Sequence, residues 1–246
     1  MKTRTVFKDK NKLSPRYVPG KLVDREGEFR ELVRLFHHVL EEGGSQRVIV
    51  CGSLGSGRTI LTRVFAREMR KFGKKRGIDI LPVYADCRKD RTPREVLGRL
   101  QRACDLEKPV RGVSYASILE RVVEQLKSRG AYLAIILDDL DFLIPRNGSD
   151  FLYMTTRVGE ELGERNPISL IGVSGEPSVL ARLDSATQST YQHNRVVLED
   201  YDRRQLRRIL EDRAKAAFTK DSIKGEVLDY ILGSEPRVPE RDRLGS

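Results

Sequence analysis

Short, largely apolar runs alternate with longer amphipathic segments along most of the chain. Five of these runs have the length of buried strands: residues 47–51, 78–87, 131–139, 168–174 and 195–199. In the segments between them, apolar residues recur every three or four positions, which predicts helices. Because strands that alternate with helices form parallel sheets covered on both faces, the pattern predicts an α/β fold with a parallel five-stranded sheet.

The two ends of the chain differ in pattern from its middle. Residues 1–23 predict an extended arm, because the stretch LSPRYVPG contains two prolines and a closing glycine. Residues 24–200 contain all five runs, and their first helix is predicted to begin at Asp24, a good capping residue. The apolar positions of that helix are Phe29, Leu32, Val33, Phe36 and Leu40. Residues 201–246 predict two further helices and a tail without a core pattern.

The charge balance is strongly basic. The 246 residues include 46 lysines and arginines against 36 acidic residues, a net charge of +10. Such a surplus indicates either a polyanionic partner, nucleic acid first, or a generally basic soluble surface, and charge alone leaves both readings open. The length is sufficient for one ordinary domain with a smaller one.

Cysteine usage and hydropathy indicate an intracellular protein. The three cysteines lie far apart in sequence and form neither a CxxC pair nor a zinc spacing, as expected in a reducing, cytoplasmic compartment. The N-terminal residues MKTRTVFKDKNK lack the apolar segment of a signal peptide. No apolar run approaches the length needed to cross a membrane, so no membrane partner is expected.

The stretch GSLGSGRT, residues 52–59, has the composition of a phosphate-binding loop between a strand and a helix. Backbone N–H groups of a glycine-rich turn that opens a helix form a binding site for anions, and the hydroxyl of Thr59 is placed to bind magnesium. Arg58 stands where this loop normally has lysine. If its larger, planar head misses the phosphates, a contact of about 1.5–3 kcal/mol is lost, roughly ten- to a hundred-fold in affinity. The predicted nucleotide-binding residues are Gly52, Ser53, Leu54, Gly55, Ser56, Gly57, Arg58, Thr59 and Ile60.

A second acidic motif follows the third apolar run, in IILDDLD at residues 135–141. Asp138 would lie at the carboxyl end of its strand, where ligands bind in such sheets, and would hold magnesium directly or through water. Hydrolytic enzymes usually have glutamate next, and Asp139 is one methylene shorter. A displacement of about 1 Å costs roughly a hundred-fold in rate, so Asp139 is a weak candidate for the catalytic carboxylate.

Several segments, in order, resemble one family: residues 6–32, 83–97, 112–120, 133–144, 148–157, 168–184 and 198–218. They include LSPRYVPG, IILDDLDFLI and GSDFLYMTTR. With the two motifs above, the chain resembles the archaeal replication initiators related to origin recognition complex subunit 1 and cell division control protein 6, which are AAA+ ATPases. The resemblance implies an AAA+ P-loop NTPase core over residues 24–200 and a partial helical lid over 201–246.

The resemblance also implies roles for individual residues. Tyr17, Val18 and Pro19 would line an adenine pocket, residues 52–59 would hold the phosphates of ATP or ADP, and Thr59 and Asp138 would hold Mg²⁺. The initiator-specific insertion, near residues 90–115, would approach double-stranded DNA and contact mostly phosphate. The basic residues in that insertion are Arg91, Arg94, Arg99, Arg102, Lys108 and Arg111. Paralogous initiators or the replicative helicase are further implied partners, and the nucleoid of an archaeal cell is the implied location.

Four positions depart from the family pattern. Arg58 replaces lysine, Asp139 replaces glutamate, Gly175 falls on the sensor asparagine and Ala186 falls on an arginine. The second half of the lid, with its sensor arginine, and the winged-helix domain are not found in these residues. Because all four departures concern hydrolysis, the leading hypothesis is a DNA-binding initiator paralogue that acts in or regulates replication initiation, with weak or no ATP hydrolysis.

Two alternatives remain open from the sequence. One is a working ATPase of the same family that loads the replicative helicase, with Arg58 neutralising phosphate and Asp139 acting through an extra water. The other is a nucleotide-free AAA+ scaffold that serves protein–protein assembly.

Overall fold

The computed structural model describes residues 5–14, 17–41, 44–107, 112–146, 148–162, 165–191, 194–220 and 222–233. The chain divides into two compact units. The larger unit comprises Pro19–Asp200, and the smaller comprises Met1–Val18 together with Tyr201–Ser246.

The larger unit is built on one parallel sheet. Its strands are β1 (Arg47–Gly52), β2 (Asp79–Asp86), β3 (Ala131–Asp138), β4 (Ile168–Ser174) and β5 (Arg195–Leu198). They are arranged in the order β2-β3-β4-β1-β5, and all neighbouring pairs are parallel. The predicted α/β class with a parallel five-stranded sheet is confirmed. Because β1 lies next to β4 and β5, the loop that follows it opens near the ends of both.

Helices fill the intervals between the strands. The larger unit has α1 (Glu26–Glu41), α2 (Arg58–Lys75), α3 (Pro93–Ala103), α4 (Tyr115–Ser128), α5 (Gly148–Glu161) and α6 (Ser185–Tyr191). The smaller unit has α7 (Arg203–Ala217) and α8 (Gly225–Gly233). Short 3₁₀ helices occur at Lys10–Leu13, Leu140–Phe142, Ile144–Arg146 and Pro177–Arg182.

The sheet has an apolar layer on each face, and β1 shows how one strand supplies both. Val48 and Val50 belong to the layer formed with α1 and α2, whereas Ile49 and Cys51 belong to the layer formed with α3, α4 and α5. All four are fully buried. Alternate side chains of a strand point to opposite faces, so a strand covered on both sides must be apolar throughout.

Capping residues set the start of several helices. The Thr92 side chain accepts from the backbone N–H of Glu95, and the Glu95 carboxylate accepts from the backbone N–H of Thr92. Helix α3 therefore begins with a capping box. Asp202 and Gln205 form the same arrangement at α7. The prediction for α1 was wrong by two residues: the helix begins at Glu26, and Asp24 has a left-handed backbone, with φ of 55°.

The apolar face of α1 also departs from its prediction at one position. Leu32 and Phe36 are fully buried and Val39 is 5% exposed, whereas Val33 is 40% exposed. Val33 instead lines a groove beside Phe29 and Phe65, at the surface between α1 and α2.

The three cysteines are free and buried. Burial raises the pKa of Cys51 to about 11 and raises the pKa of Cys87 further above its ordinary value. Since the thiolate is the reactive form, these thiols act as small apolar core residues.

The smaller unit joins the N-terminal segment to α7. The backbone N–H groups of Lys8 and Asp9 both donate to the Ala217 carbonyl, at 2.8 and 3.0 Å. The rings of Phe7 and Phe218 pack with centroids 5.0 Å apart. The predicted boundary of an arm at residues 1–23 stays a prediction, and residues 234–246 of the predicted tail lie outside the described residues.

Candidate functional site

Residues 52–59 form the bend between β1 and α2. The strand ends at Gly52 and the helix begins at Arg58. Gly55 and Gly57 have φ of 91° and 94°, a left-handed conformation that side chains strain. A Cβ on Gly52 would lie 2.6 Å from Ser56 Oγ and 2.7 Å from the Leu198 carbonyl oxygen, so no larger residue fits there. The sequence therefore has glycine where this bend requires it.

Two polar side-chain atoms in the bend lack a partner in the described part of the chain. Ser56 is 2% exposed, and its buried Oγ has no hydrogen-bond partner among the described residues. The same is true of Arg58 Nη1. A buried donor without a partner is costly, and such groups at the start of an 18-residue helix fit an anion. The bend thus suits the phosphates of a nucleotide, which would be held by its backbone N–H groups.

Arg25 contacts the bend and helps to hold it, a role that the sequence pattern did not indicate. It is 4% exposed, its Nε donates to the Ser56 carbonyl at 3.0 Å, and its Nη1 donates to Glu28 at 2.8 Å. A further nitrogen, Nη2, donates to the Glu199 carbonyl just beyond β5. One guanidinium therefore links α1, the bend and the end of β5. Asp24, the residue before Arg25, has a left-handed backbone, and this conformation could not be read from the sequence.

Asp138 lies against the bend at the carboxyl end of β3. It is 6% exposed, and the Thr59 hydroxyl lies 2.9 and 3.1 Å from its two carboxylate oxygens. Tyr84 also donates its hydroxyl to Asp138, and burial together with this bond raises the pKa of Tyr84 above its ordinary value. The structure thus brings together the two predicted magnesium ligands.

The donor set suits Mg²⁺ bound with a nucleotide. Among the described residues, no group of three or more His, Cys, Asp or Glu side chains could hold a metal by itself. Mg²⁺ usually binds through one or two protein oxygens, several waters and substrate phosphates. The Thr59 hydroxyl and the Asp138 carboxylate fit this pattern, and the ion would neutralise phosphate charge there.

Asp139 has a different environment from its neighbour. Its backbone is left-handed, with φ of 54°, and its carboxylate accepts from Arg88 Nε at 2.6 Å. The Arg88 guanidinium lies over the Phe142 ring, 4.6 Å from the centroid. The Asp139 carboxylate raises the pKa of Arg88 above its ordinary value. Asp139 is therefore engaged in an ion pair, a partner that its sequence position did not indicate.

At the end of β4, the carboxylate of Asp141, from the segment after β3, binds the backbone. The predicted sensor position, Gly175, has no side chain. Gly175 follows the strand directly, and its N–H donates to Asp141 Oδ2 at 3.2 Å. The Ser174 hydroxyl donates to the other oxygen of Asp141 at 3.0 Å. Ala186 lies in the first turn of α6 and is exposed. Neither Gly175 nor Ala186 has a polar side chain to offer a phosphate.

The predicted DNA-contacting arginines are not equivalent. Arg91, Arg94 and Arg102 are exposed, on or next to α3. Arg99 is instead paired with Asp90, with 2.5 Å between Nε and Oδ2. Lys108 and Arg111 lie outside the described residues.

The residues predicted to surround adenine belong to different units. Tyr17 and Val18 lie in the smaller unit, where the Tyr17 ring has Lys12 Nζ 4.5 Å and the Arg213 guanidinium 5.6 Å from its centroid. Pro19 lies in the larger unit, and its carbonyl accepts from Arg67 Nη1 at 2.9 Å. Their adenine-binding role stays a prediction, as does the nucleotide-binding role of Ile60 in the first turn of α2.

The bend, the paired Thr59 and Asp138, and the parallel sheet define a P-loop nucleotide-binding fold. The model of the AAA domain family matches residues 29–183, and the chain belongs to this family. Within it, the chain is similar to the ORC1-type DNA replication proteins of archaea. It is 32% identical to ORC1-type DNA replication protein 1 of Aeropyrum pernix over 225 residues, which is 91% of this chain and 57% of the relative.

Two solved structures have the same fold. The structure of the Aeropyrum pernix ORC1 protein in complex with DNA is 29% identical, with a TM-score of 0.81, over 92% of this chain and 58% of that one. The crystal structure of Cdc6p from Pyrobaculum aerophilum is 27% identical, with a TM-score of 0.79, over 93% of this chain and 59% of that one. The chain spans a little over half the length of the curated relatives that it matches. In the described part of the chain, no helix is both long and apolar enough to span a membrane.

Proposed function

We propose that the chain is a replication initiator-like AAA+ protein that binds ATP or ADP with Mg²⁺ and binds duplex DNA. It acts in or regulates the initiation of replication, in the cytoplasm and on the nucleoid, and hydrolyses ATP weakly or not at all. The observation that carries the nucleotide part is the contact of Thr59 with Asp138, 2.9 and 3.1 Å, at the mouth of the phosphate loop. The core would comprise residues 24–200 and the partial lid residues 201–246.

Nucleotide binding is supported by groups that have no other partner. Two buried polar atoms of the bend, Ser56 Oγ and Arg58 Nη1, have none among the described residues. An anion at this helix start would satisfy such donors and interact favourably with the helix dipole. Magnesium would add positive charge where Thr59 and Asp138 meet.

Weak hydrolysis is supported by the state of the groups that would cleave the terminal phosphate. Asp139 Oδ2 accepts from Arg88 Nε at 2.6 Å, and a carboxylate in this ion pair is less available to act as a general base. Gly175 has no side chain with which to hold a phosphate. A catalytic base must reach the proton that it removes, so an ion pair at Asp139 acts against hydrolysis.

DNA binding is supported by charge and by the relative whose structure contains DNA. The chain has a net charge of +10, and exposed arginines lie on and beside α3. The Aeropyrum pernix ORC1 protein, 29% identical, was solved in complex with DNA. Contacts from such arginines would be mainly to phosphate and would give affinity without sequence choice.

Steady-state turnover of ATP by the purified protein, beside an Asp138→Ala variant, tests the hydrolysis part. We expect turnover at the level of a protein-free control for both proteins. Turnover that the substitution abolishes would instead establish a working ATPase. This is the second candidate function, because Asp139 supplies a carboxylate directly after Asp138 in the chain. Mobility-shift titrations across a salt series test the DNA part, and affinity that ignores salt would contradict phosphate contacts.

A further inference from the structure

The Arg58 guanidinium and Gly175 are neighbours, although they lie on different elements. Arg58 is the first residue of α2, and Gly175 directly follows β4. A Cβ built on Gly175 would lie 3.5 Å from Arg58 Nη1. Both positions depart from the family pattern, and the fold places them side by side.

The contact leaves room for a small side chain but not for a long one. A separation of 3.5 Å is an ordinary van der Waals distance, so alanine at position 175 would fit without moving the arginine. An asparagine adds a whole amide beyond its Cβ and would compete with the guanidinium for this space. The φ of Gly175 lies outside the left-handed range, so its backbone does not itself require glycine.

The end of β4 is otherwise held firmly. Asp141 accepts from the Gly175 N–H, and the Ser174 hydroxyl lies within hydrogen-bond distance of both Asp141 Oδ1, at 3.0 Å, and the Glu176 carbonyl, at 2.9 Å. The backbone at position 175 therefore cannot easily move away from a bulky neighbour. The space beside Arg58 depends on the missing side chain.

Arg58 lacks an anionic partner within the described part of the chain. No salt bridge there involves Arg58, and its buried Nη1 donates to no acceptor. A buried N–H of a cationic group that has no acceptor is costly, and a bound anion would relieve this cost. At the start of α2, beside the phosphate loop, that anion would be a phosphate of the nucleotide.

We infer that Arg58 and Gly175 form a matched pair in which Arg58 binds the terminal phosphate of a nucleoside triphosphate and Gly175 provides the space for its guanidinium. One arginine thus binds phosphate from the position of the loop lysine and fills space that the sensor side chain would take. The inference rests on the proposed nucleotide binding and adds a preference for triphosphate over diphosphate. The two departures are then one linked change.

A double-mutant cycle tests the pair, with calorimetric titration of ADP and of a non-hydrolysable ATP analogue in the presence of Mg²⁺. The variants are Arg58→Lys, Gly175→Asn and the double variant, and Gly175→Ala is the matched control. We expect Gly175→Asn to weaken the ATP analogue at least tenfold and ADP less than threefold. Gly175→Ala should change neither affinity more than twofold, and the double variant should bind the analogue at least tenfold better than the product of the single effects predicts.

Thermal unfolding of each variant reports whether the fold is kept, and retained ADP binding by Gly175→Asn would show that the loop is intact. Unchanged affinity of Gly175→Asn for the analogue, additive effects in the cycle, or equal losses for ADP and the analogue would each overturn the pair. Failure of the unsubstituted protein to bind either nucleotide would overturn the proposed function itself, and the pair with it. The two failures are therefore distinguishable.

Discussion

The two sides of the candidate site differ in what their side chains already contact. On the side of β1 and β3, the phosphate loop has its required glycines, and Thr59 meets Asp138 directly. On the side of Asp139 and β4, one carboxylate is paired with Arg88 and the sensor position has no side chain. Under the proposed function, the first side would hold a nucleotide, and the second would lack free groups to cleave it.

The difference shows that binding and hydrolysis depend on separate sets of residues. Holding phosphate relies on backbone N–H groups, on a helix start and on a metal site, which tolerate side-chain changes elsewhere. Hydrolysis relies on a free base placed to within about 1 Å, which one ion pair disturbs. A protein of this family can therefore lose the second set and keep the first.

The largest expected effect on this comparison comes from Arg25, because it supports the binding side alone. Arg25→Met removes the bonds to Ser56, Glu28 and Glu199. We expect a loss of about 3 kcal/mol in the free energy of unfolding, since breaking a buried charged network is costly. Urea denaturation measures this, with Glu28→Ala, which removes one of these bonds, as the milder control. Equal stability of the Arg25→Met variant and the parent protein would contradict the supporting role.

A comparison of the two adjacent carboxylates comes next in size. Asp138→Asn should weaken Mg²⁺-dependent binding of ATP roughly ten- to a hundred-fold, because a charged metal ligand is lost, worth about 1.5–3 kcal/mol. Asp139→Asn should change the same affinity by less than threefold, since Asp139 contacts Arg88 instead. Calorimetry with and without Mg²⁺ separates the two. Similar losses for both variants would show that the two sides of the site are not distinct.

The arginines near α3 should have smaller and unequal effects on DNA affinity. Arg94→Ala and Arg102→Ala should each reduce the slope of log affinity against log salt by about one, because each exposed cation releases about one counterion. Arg99→Ala should leave the slope unchanged, since its guanidinium is paired with Asp90 at 2.5 Å. Fluorescence anisotropy on a short duplex provides the slopes. A reduced slope for Arg99→Ala, with the other two unchanged, would reverse this assignment.

The smallest expected effect is the release of Asp139. Arg88→Gln removes the ion pair and frees the carboxylate, yet the bare Gly175 and the short side chain of Asp139 remain. We expect ATP turnover to stay within tenfold of a protein-free control, a change in barrier height of less than about 1.4 kcal/mol. A rise in ATP turnover of a hundred-fold or more would show that the Arg88 ion pair alone prevents hydrolysis and would contradict this expectation.

The fold was predictable because its signals are local in sequence. Apolar runs such as residues 47–51 are long enough for a strand and too short for a helix, and Thr92 and Ser114 cap the helices that follow them. The phosphate loop was equally visible, because its glycines lie close together in the chain, at positions 52, 55 and 57. The start of α1 was predicted two residues too early, because an aspartate before an apolar pattern indicates a helix start only to within a few residues.

The partners of the site residues were not predictable, because they depend on side chains far apart in sequence. Arg25 reaches Ser56 and Glu199, and Arg88 reaches Asp139, only after the sheet has formed. The contact between Arg58 and Gly175 likewise needs β4 beside β1. Sequence identified the residues that depart from the family pattern, and the structure showed which departures touch each other.

The most direct test of the account measures binding and turnover on the same purified protein. Calorimetric titration with ADP and with ATP, each with and without Mg²⁺, is followed by an assay for released phosphate on the same sample. The account predicts saturable binding that Mg²⁺ strengthens for ATP, without phosphate release above a protein-free control. Phosphate release that Asp138→Ala removes, or an absence of binding for both nucleotides, would contradict it.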